Sequence, residues 1–342
     1  MLDNDSVLQT AFNVSVSPEA GSESGGVSHH FDNIRMPNTN TKIVYGTVAA
    51  LGILGNLIVI VVILKSSNMR KTFANILILN QSCIDFIASL LVILSTTTRT
   101  SVRDLSGISG DLFCKLWLSD LPLWSLLTAS SYALLVLTVE RYVAIVHPIF
   151  HHNVVTKRKV YLLAGSAWLT GSIVIMCVLI PTSGVIGCRC RVLSIFPSDV
   201  WKSFCGVMMF ACLYLIPVST FVTCYSKIFL CIRNRVVPQT EVVRNEAVSQ
   251  KARSRRNVLK TLVIIVVCYI ICNSWNQFTF LFFNLGYQVD FSSAFYNFTV
   301  IATFANSCIN PIIYALQYET FQKELRTVFL KCGSDTPVVA IS

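Results

Sequence analysis

The chain has 342 residues, of which 54% are hydrophobic and only 13% charged, roughly half the charged fraction of a soluble domain. That composition excludes an ordinary water-soluble globular protein and makes the bilayer the solvent to reason in. The net charge of +10 does not argue for a nucleic-acid partner, because the Lys and Arg excess collects beside apolar runs.

Residues 1–41 are polar, rich in Ser, Asn and Gly, and lack the apolar core of a cleavable signal peptide. They read as a disordered extracellular tail. Asn4-Asp5-Ser6 and Asn13-Val14-Ser15 place glycosylation acceptors at Asn4 and Asn13 in it. The first apolar run then doubles as an uncleaved membrane signal.

Runs free of Asp, Glu, Lys and Arg cover Ile43 to Leu64, Thr72 to Ile84, Phe86 to Thr98, Val160 to Cys188, Ser203 to Ser226, Thr261 to Val289 and Phe291 to Tyr318. About 20 apolar residues cross a bilayer. The two short runs, split only by Asp85, make one helix over 72–98, and a further helix runs from Phe113 to Val146. The expectation is an all-α membrane protein: a seven-transmembrane helix bundle over 42–318, an amphipathic interfacial helix over 319–332 and a short cytoplasmic tail over 333–342.

With the N-terminus outside, nineteen of the 27 basic residues fall in cytoplasmic loops and tail, nine of them between Lys227 and Lys260. The positive-inside rule therefore sets the orientation. That loop, with two acidic residues, suits anionic lipid or a cytoplasmic protein partner. Past span seven, Phe321, Leu325, Val328 and Phe329 recur at helical spacing with charges between, as in a helix lying on the membrane.

Of thirteen cysteines, most sit inside spans as small buried apolar residues. Cys114 opens span three on the oxidising outer side and is expected to bridge to Cys188 or Cys190, between which sequence does not choose. Cys205 is a candidate partner for the one left over. Cys332, beyond the amphipathic stretch, is a candidate for palmitoylation.

Polar residues inside the spans carry the functional signal, since each costs free energy in hydrocarbon unless partnered. Asp85 sits near the bilayer centre with no basic residue at its depth. It is either protonated, hydrogen-bonded to Asn310, or holds a cation. Oxygen donors from Asn56, Ser130, Asn306, Ser307 and Asn310 suit sodium. Asp120, nearer the outer end, faces water or lines a pocket. Glu140-Arg141-Tyr142 at the inner end of span three sets a guanidinium beside a carboxylate, releasable toward a cytoplasmic partner. Pro217 and Pro311 each remove a backbone donor and loosen spans five and seven, the kind of bistable bundle a ligand switch requires.

Taken together, Gly55-Asn56, Asp85, Glu140-Arg141-Tyr142, Trp168, Pro217 with Tyr225, and Asn310-Pro311-Ile312-Ile313-Tyr314 give one motif in each of six spans. On these the chain resembles the rhodopsin-like (class A) G protein-coupled receptors from about Ile43 to Cys332. The resemblance implies a plasma-membrane receptor in which an agonist drives span six outward and opens an inner cavity for a heterotrimeric G protein. Glu140, Arg141, Tyr142, Tyr225, Asn310, Pro311 and Tyr314 would carry that coupling. Asp85, Ser130, Asn306 and Asn310 resemble the family's sodium site. Asp120, Leu123, Trp124, Trp275, Asn276, Gln277 and Phe304 are the candidate ligand-pocket residues, and arrestin is a further candidate partner.

Phe304 stands where an opsin carries its retinal-binding lysine, and Leu123 where a monoamine receptor carries its aspartate. The outer tail and the basic, cysteine-bearing second outer loop, with Arg99, Arg103, Asp104, Arg189 and Arg191, look like those of neuropeptide receptors of the somatostatin, galanin and opioid kind. The chain departs from the family in span six, which reads Cys272-Asn273-Ser274-Trp275 in place of Cys-Trp-x-Pro. It departs again between Cys114 and Arg141, 27 residues apart with Pro122 between, where a bulge is expected. Arg255 near the inner end of span six replaces the acidic partner some relatives use for the span-three Arg. The altered span six also fits a constitutively active or non-signalling receptor-like protein. An ion-coupled transporter would show internal repeats, and none is evident. For an enzyme, no nucleophile, base and orienting group converge at one depth.

Overall fold

The computed structural model describes residues 39–98, 105–234, 246–291 and 293–330, with side chains except at 234, 246–256 and 330. Asn4, Asn13, Arg99, Arg103, Asp104, Cys332 and the side chain of Arg255 lie outside what it describes.

Among the described residues, seven helices are long and apolar enough to cross a membrane. Span one is α1 (Thr39–Lys65) and span two α2 (Phe73–Thr98). Span three is composite: α3 (Gly107–Phe113), a π turn over Cys114–Leu118, then α4 (Leu121–Val146). A short loop helix α5 (Pro148–Val154) leads to span four, α6 (Lys157–Thr182), whose first turn is capped by Thr156. Span five is again composite: α7 (Asp199–Phe210), a π turn over Ala211–Leu215, and α8 (Ile216–Asn234). Span six lies within α9 (Glu246–Asn284), span seven is α10 (Ala294–Gln317), and α11 (Glu319–Leu330) follows.

Two features explain where the expected boundaries shift. Span six ends at Asn284 rather than running to Val289, because Gly286 has φ of 95° and closes a Schellman cap: Gly286 N–H donates to Phe283 O and Tyr287 N–H to Phe282 O. The Phe282 and Tyr287 rings meet 5.6 Å apart across that cap. Span three breaks where Pro122 predicted a bulge: Asp120 adopts the left-handed conformation (φ 56°) and Pro122 lies in the first turn of the restarted helix.

Span one packs on spans two and seven, span two on three, span three on four and five, and seven on six. Glycine permits the close approach of spans three and four: a Cβ at Gly171 would lie 2.5 Å from Ala129 N and 2.7 Å from Ser125 O of span three. Apolar side chains such as Leu54, Leu90 and Leu169 face outward, while Asn56, Asp85, Ser130, Ser307 and Asn310 are buried within. The polarity is that of a bundle whose solvent is hydrocarbon. α11 turns Phe321 into the inner core beside Tyr314 and leaves Phe329 exposed, as an interfacial helix does.

Between spans four and five, β1 (Gly184–Ile186) pairs antiparallel with β2 (Arg189–Arg191), Val185 opposite Cys190. The two-residue turn is Gly187-Cys188, both with positive φ, the backbone of a type I′ hairpin. The turn decides the disulfide. Cys188 occupies the exposed tip as a free thiol, while Cys190 sits in the strand and bonds to Cys114. Cys205 is also free, so no second bridge joins it to Cys188.

Candidate functional site

Three layers of functional residues lie along the axis of the bundle. In the outer layer, Trp124 from span three meets Phe280 of span six edge-on at 6.3 Å and Phe304 of span seven at 6.5 Å. Phe280 continues to Tyr296 and Phe291, and Phe304 meets Tyr45 of span one at 5.6 Å. Leu123 is buried in the same layer among Ala88, Val92 and Val300. Gln277 is half-buried, and Asn276, one helical turn below Phe280, is buried with its Nδ2 unpartnered. Asp120 is half-buried at the helix break. Trp275 is the exception among the expected pocket residues. It is 47% exposed and packs edge-on against Phe295 and Phe298 on the lipid side of spans six and seven. Two residues are about 200° of helix, so a Trp at 275 rather than at 273 faces the opposite side, out of the bundle.

The lid over this layer is the hairpin. Val185 N–H donates to Asp111 Oδ1 at 3.2 Å, Asp111 also pairs with Lys115 at 2.8 Å, and Leu105 N–H donates to Cys188 O. Together with the Cys114–Cys190 bond, these fasten the loop to the outer end of span three.

Asp85 forms the middle layer, fully buried. Ser130 Oγ donates to its Oδ1 at 2.8 Å; Asn310 Nδ2 and Gln81 Nε2 donate to its Oδ2 at 3.0 and 3.2 Å. Gln81 also donates to Ser130. Asn306 is buried without a hydrogen bond to Asp85, and Asn310 reaches Asp85 through its amide nitrogen. Gln81 enters instead. It lies four residues before Asp85, on the same helix face, and that spacing was the available signal. No basic side chain pairs with Asp85 among the described residues. Asn56 Oδ1, Gln81 Oε1 and Ser307 Oγ are buried oxygens without hydrogen-bond partners, the hard donor type that suits a small cation.

Asn56 also explains how span seven tolerates Pro311. Proline has no N–H for the carbonyl four residues before it, which is Ser307 O. Asn56 Nδ2 donates to that carbonyl at 2.9 Å. Gly55 leaves room for the ring, since a Cβ there would lie 3.0 Å from Pro311 Cβ. Trp168 has a comparably concrete role: its indole N–H donates to Asn80 Oδ1 at 2.9 Å, joining spans four and two.

At the inner end, Arg141 donates to both oxygens of Glu140. Glu140 is buried and also receives His151 Nε2 of α5 at 2.9 Å. His151 is legible only once α5 folds back on span three. Tyr142 points outward to His147 at 3.3 Å. Tyr314 is buried in the inner core with Leu137, Phe221, Ile265 and Tyr269, and Tyr225 packs against that core. Beyond it, Tyr318 donates to Asn75 Oδ1 at 2.8 Å. Burial pushes the Tyr318 phenol above its ordinary pKa and keeps it a donor. The arrangement is a charged pair at this end of the bundle, closed from above by a plug of aliphatic and aromatic side chains.

Residues 55–314 match the family model for the 7 transmembrane receptor (rhodopsin family). Among solved structures, the crystal structure of squid rhodopsin superposes with a TM-score of 0.67 at 18% identity, covering 86% of each chain. At that identity the likeness speaks for the fold alone, and Phe304 stands at the lysine position of an opsin. The family match covers most of the chain and every motif placed above, and makes the protein a signalling receptor rather than an enzyme. The chain belongs to the rhodopsin family of seven-transmembrane, G protein-coupled receptors.

Proposed function

We propose that this receptor sits in the plasma membrane with its N-terminus outside, binds an extracellular peptide and activates a heterotrimeric G protein. The observation that carries the coupling is Arg141, held by a carboxylate of its own helix at the cytoplasmic edge, with Tyr225 and Tyr314 in the plug above it. Outward movement of span six opens the plug and frees the guanidinium for the G protein. Arrestin and membrane lipid are further partners of the inner face.

A peptide ligand is supported by an outer layer of rings rather than charged anchors, and by a basic hairpin fastened above it. Asn276 offers a buried donor for a carbonyl of the ligand. Sodium is the allosteric ion: Asp85 and Ser130 would hold it with the oxygens of Asn56, Gln81 and Ser307, stabilising the resting packing. A second reading, a receptor-like protein active without agonist or silent, is favoured by α9. It runs through without proline and turns Trp275 out of the bundle.

The test is G protein dissociation in cells expressing the chain, challenged with a neuropeptide library. A response to one peptide is expected. High ligand-independent activity, or silence at confirmed surface expression, would contradict the peptide-receptor reading in favour of the second.

A further inference from the structure

Span five loses two backbone hydrogen bonds in succession. At the π turn, Ile216 N–H donates to Ala211 O, five residues back, so it is not available to Cys212 O. The next residue is Pro217, which has no N–H for Leu213 O. Two adjacent carbonyls thus lack their α-helical donors inside a membrane span, where no water replaces them. These same two are taken by side chains of neighbouring spans. Tyr132 of span three donates its hydroxyl to Cys212 O, and Tyr269 of span six donates to Leu213 O, each at 3.1 Å. Tyr269 is buried and held edge-on to Phe221 at 5.4 Å, which fixes the ring that aims its hydroxyl.

We propose that Tyr269 is a positioning residue for activation: its hydroxyl latches span six to the carbonyl that Pro217 leaves open, and so holds the receptor in its resting packing. The two tyrosines make the same bond with different consequences. Tyr132 joins spans three and five and supports the fold in both states. Tyr269 stands on the span that moves, so its bond exists in one state and is broken in the other. A contact made in only one of two states biases their equilibrium by its full net strength. Without a kink-forming proline in span six, this bond is a means by which span five reports to it.

The inference rests on span six being the moving element, and its test reads the conformation without any G protein, so failure of coupling and failure of the latch are separable. Spin labels carried by a ketone amino acid in place of Arg158 and Lys260, at the inner ends of spans four and six, report their separation by pulsed electron resonance in the full chain in lipid nanodiscs. Tyr269→Phe is expected to raise the ratio of long to short distances ~5-fold, the equivalent of one net hydrogen bond. Tyr132→Phe should leave the ratio unchanged and lower the melting temperature. In a Pro217→Ala background, where residue 217 regains an N–H for Leu213 O, Tyr269→Phe should have little further effect. An unchanged ratio in Tyr269→Phe, an equal shift in Tyr132→Phe, or the same shift in both backgrounds would overturn the latch. Should Tyr269→Phe fail to fold, recovery in the Pro217→Ala background supports the bond, and failure in both contradicts it.

Discussion

Asp85 is a fully buried carboxylate with no basic side chain paired to it among the described residues. A carboxylate buried among three neutral donors gains some of the stabilisation it lost on leaving water, but no counter-charge. A cation, as proposed, would supply the rest, and the orphaned oxygens of Asn56, Gln81 and Ser307 are buried donors open to it. Asp85→Asn keeps the shape, removes the charge, and turns a donor toward the Gln81 and Asn310 amides. Sodium at tens of millimolar is expected to raise the melting temperature of the wild-type protein and not that of the variant. Equal sodium responses would place the ion elsewhere. Asp85 was legible from sequence because it is one of very few charges inside apolar runs. Gln81 was not, because a glutamine one turn away reads as an ordinary polar residue until a bundle forms around it.

At the scale of elements, the second outer loop shows what a turn type decides. Gly187 and Cys188 take the two left-handed positions of the hairpin, leaving Cys190 on the strand and next to Cys114. The bond closes a sequence separation of 76 residues. Its removal by Cys190→Ser is expected to cost about 2–4 kcal/mol of stability, read as a fall in melting temperature and in surface expression. Cys188→Ser should leave both unchanged. Equal losses in the two variants would mean that the cysteines exchange. Sequence placed all three thiols on the outer side but left the pairing open, since the choice depends on backbone conformation at two turn residues. The π turn of span five was hidden for a related reason: the carbonyls beside it are taken by donors from other spans, Tyr132 and Tyr269. Pro122 marked the break in span three and Pro217 the loosening of span five, but neither showed a π turn.

For the whole molecule, charge-free runs located six of the seven spans, because the bilayer imposes a length that composition reveals; span three, which carries charges, was placed over Phe113 to Val146 separately. The motifs then ordered them. What sequence could not supply was facing: Trp275 reads as a pocket residue by kind and lies on the lipid side by position. Nor could it supply the partnership of His151 with Glu140, which requires α5 to pack against the end of span three. The layers nonetheless connect. Aromatic rings from spans three, six and seven meet at the outer end, the Asp85 network joins spans two, three and seven in the middle, and the tyrosine plug covers Arg141 within. A ligand that rearranges the rings therefore acts on elements that also hold the inner plug.

The most direct test of that account is nucleotide exchange by purified G proteins on nanodiscs carrying wild-type receptor or Arg141→Ala, compared at equal surface folding and with the activating peptide present. Exchange is expected with the wild type and its loss in the variant, by tenfold or more for a charge-assisted contact of roughly 1.5–3 kcal/mol. Peptide binding should be retained. Undiminished exchange by Arg141→Ala would contradict the claim that this guanidinium carries the signal to the G protein.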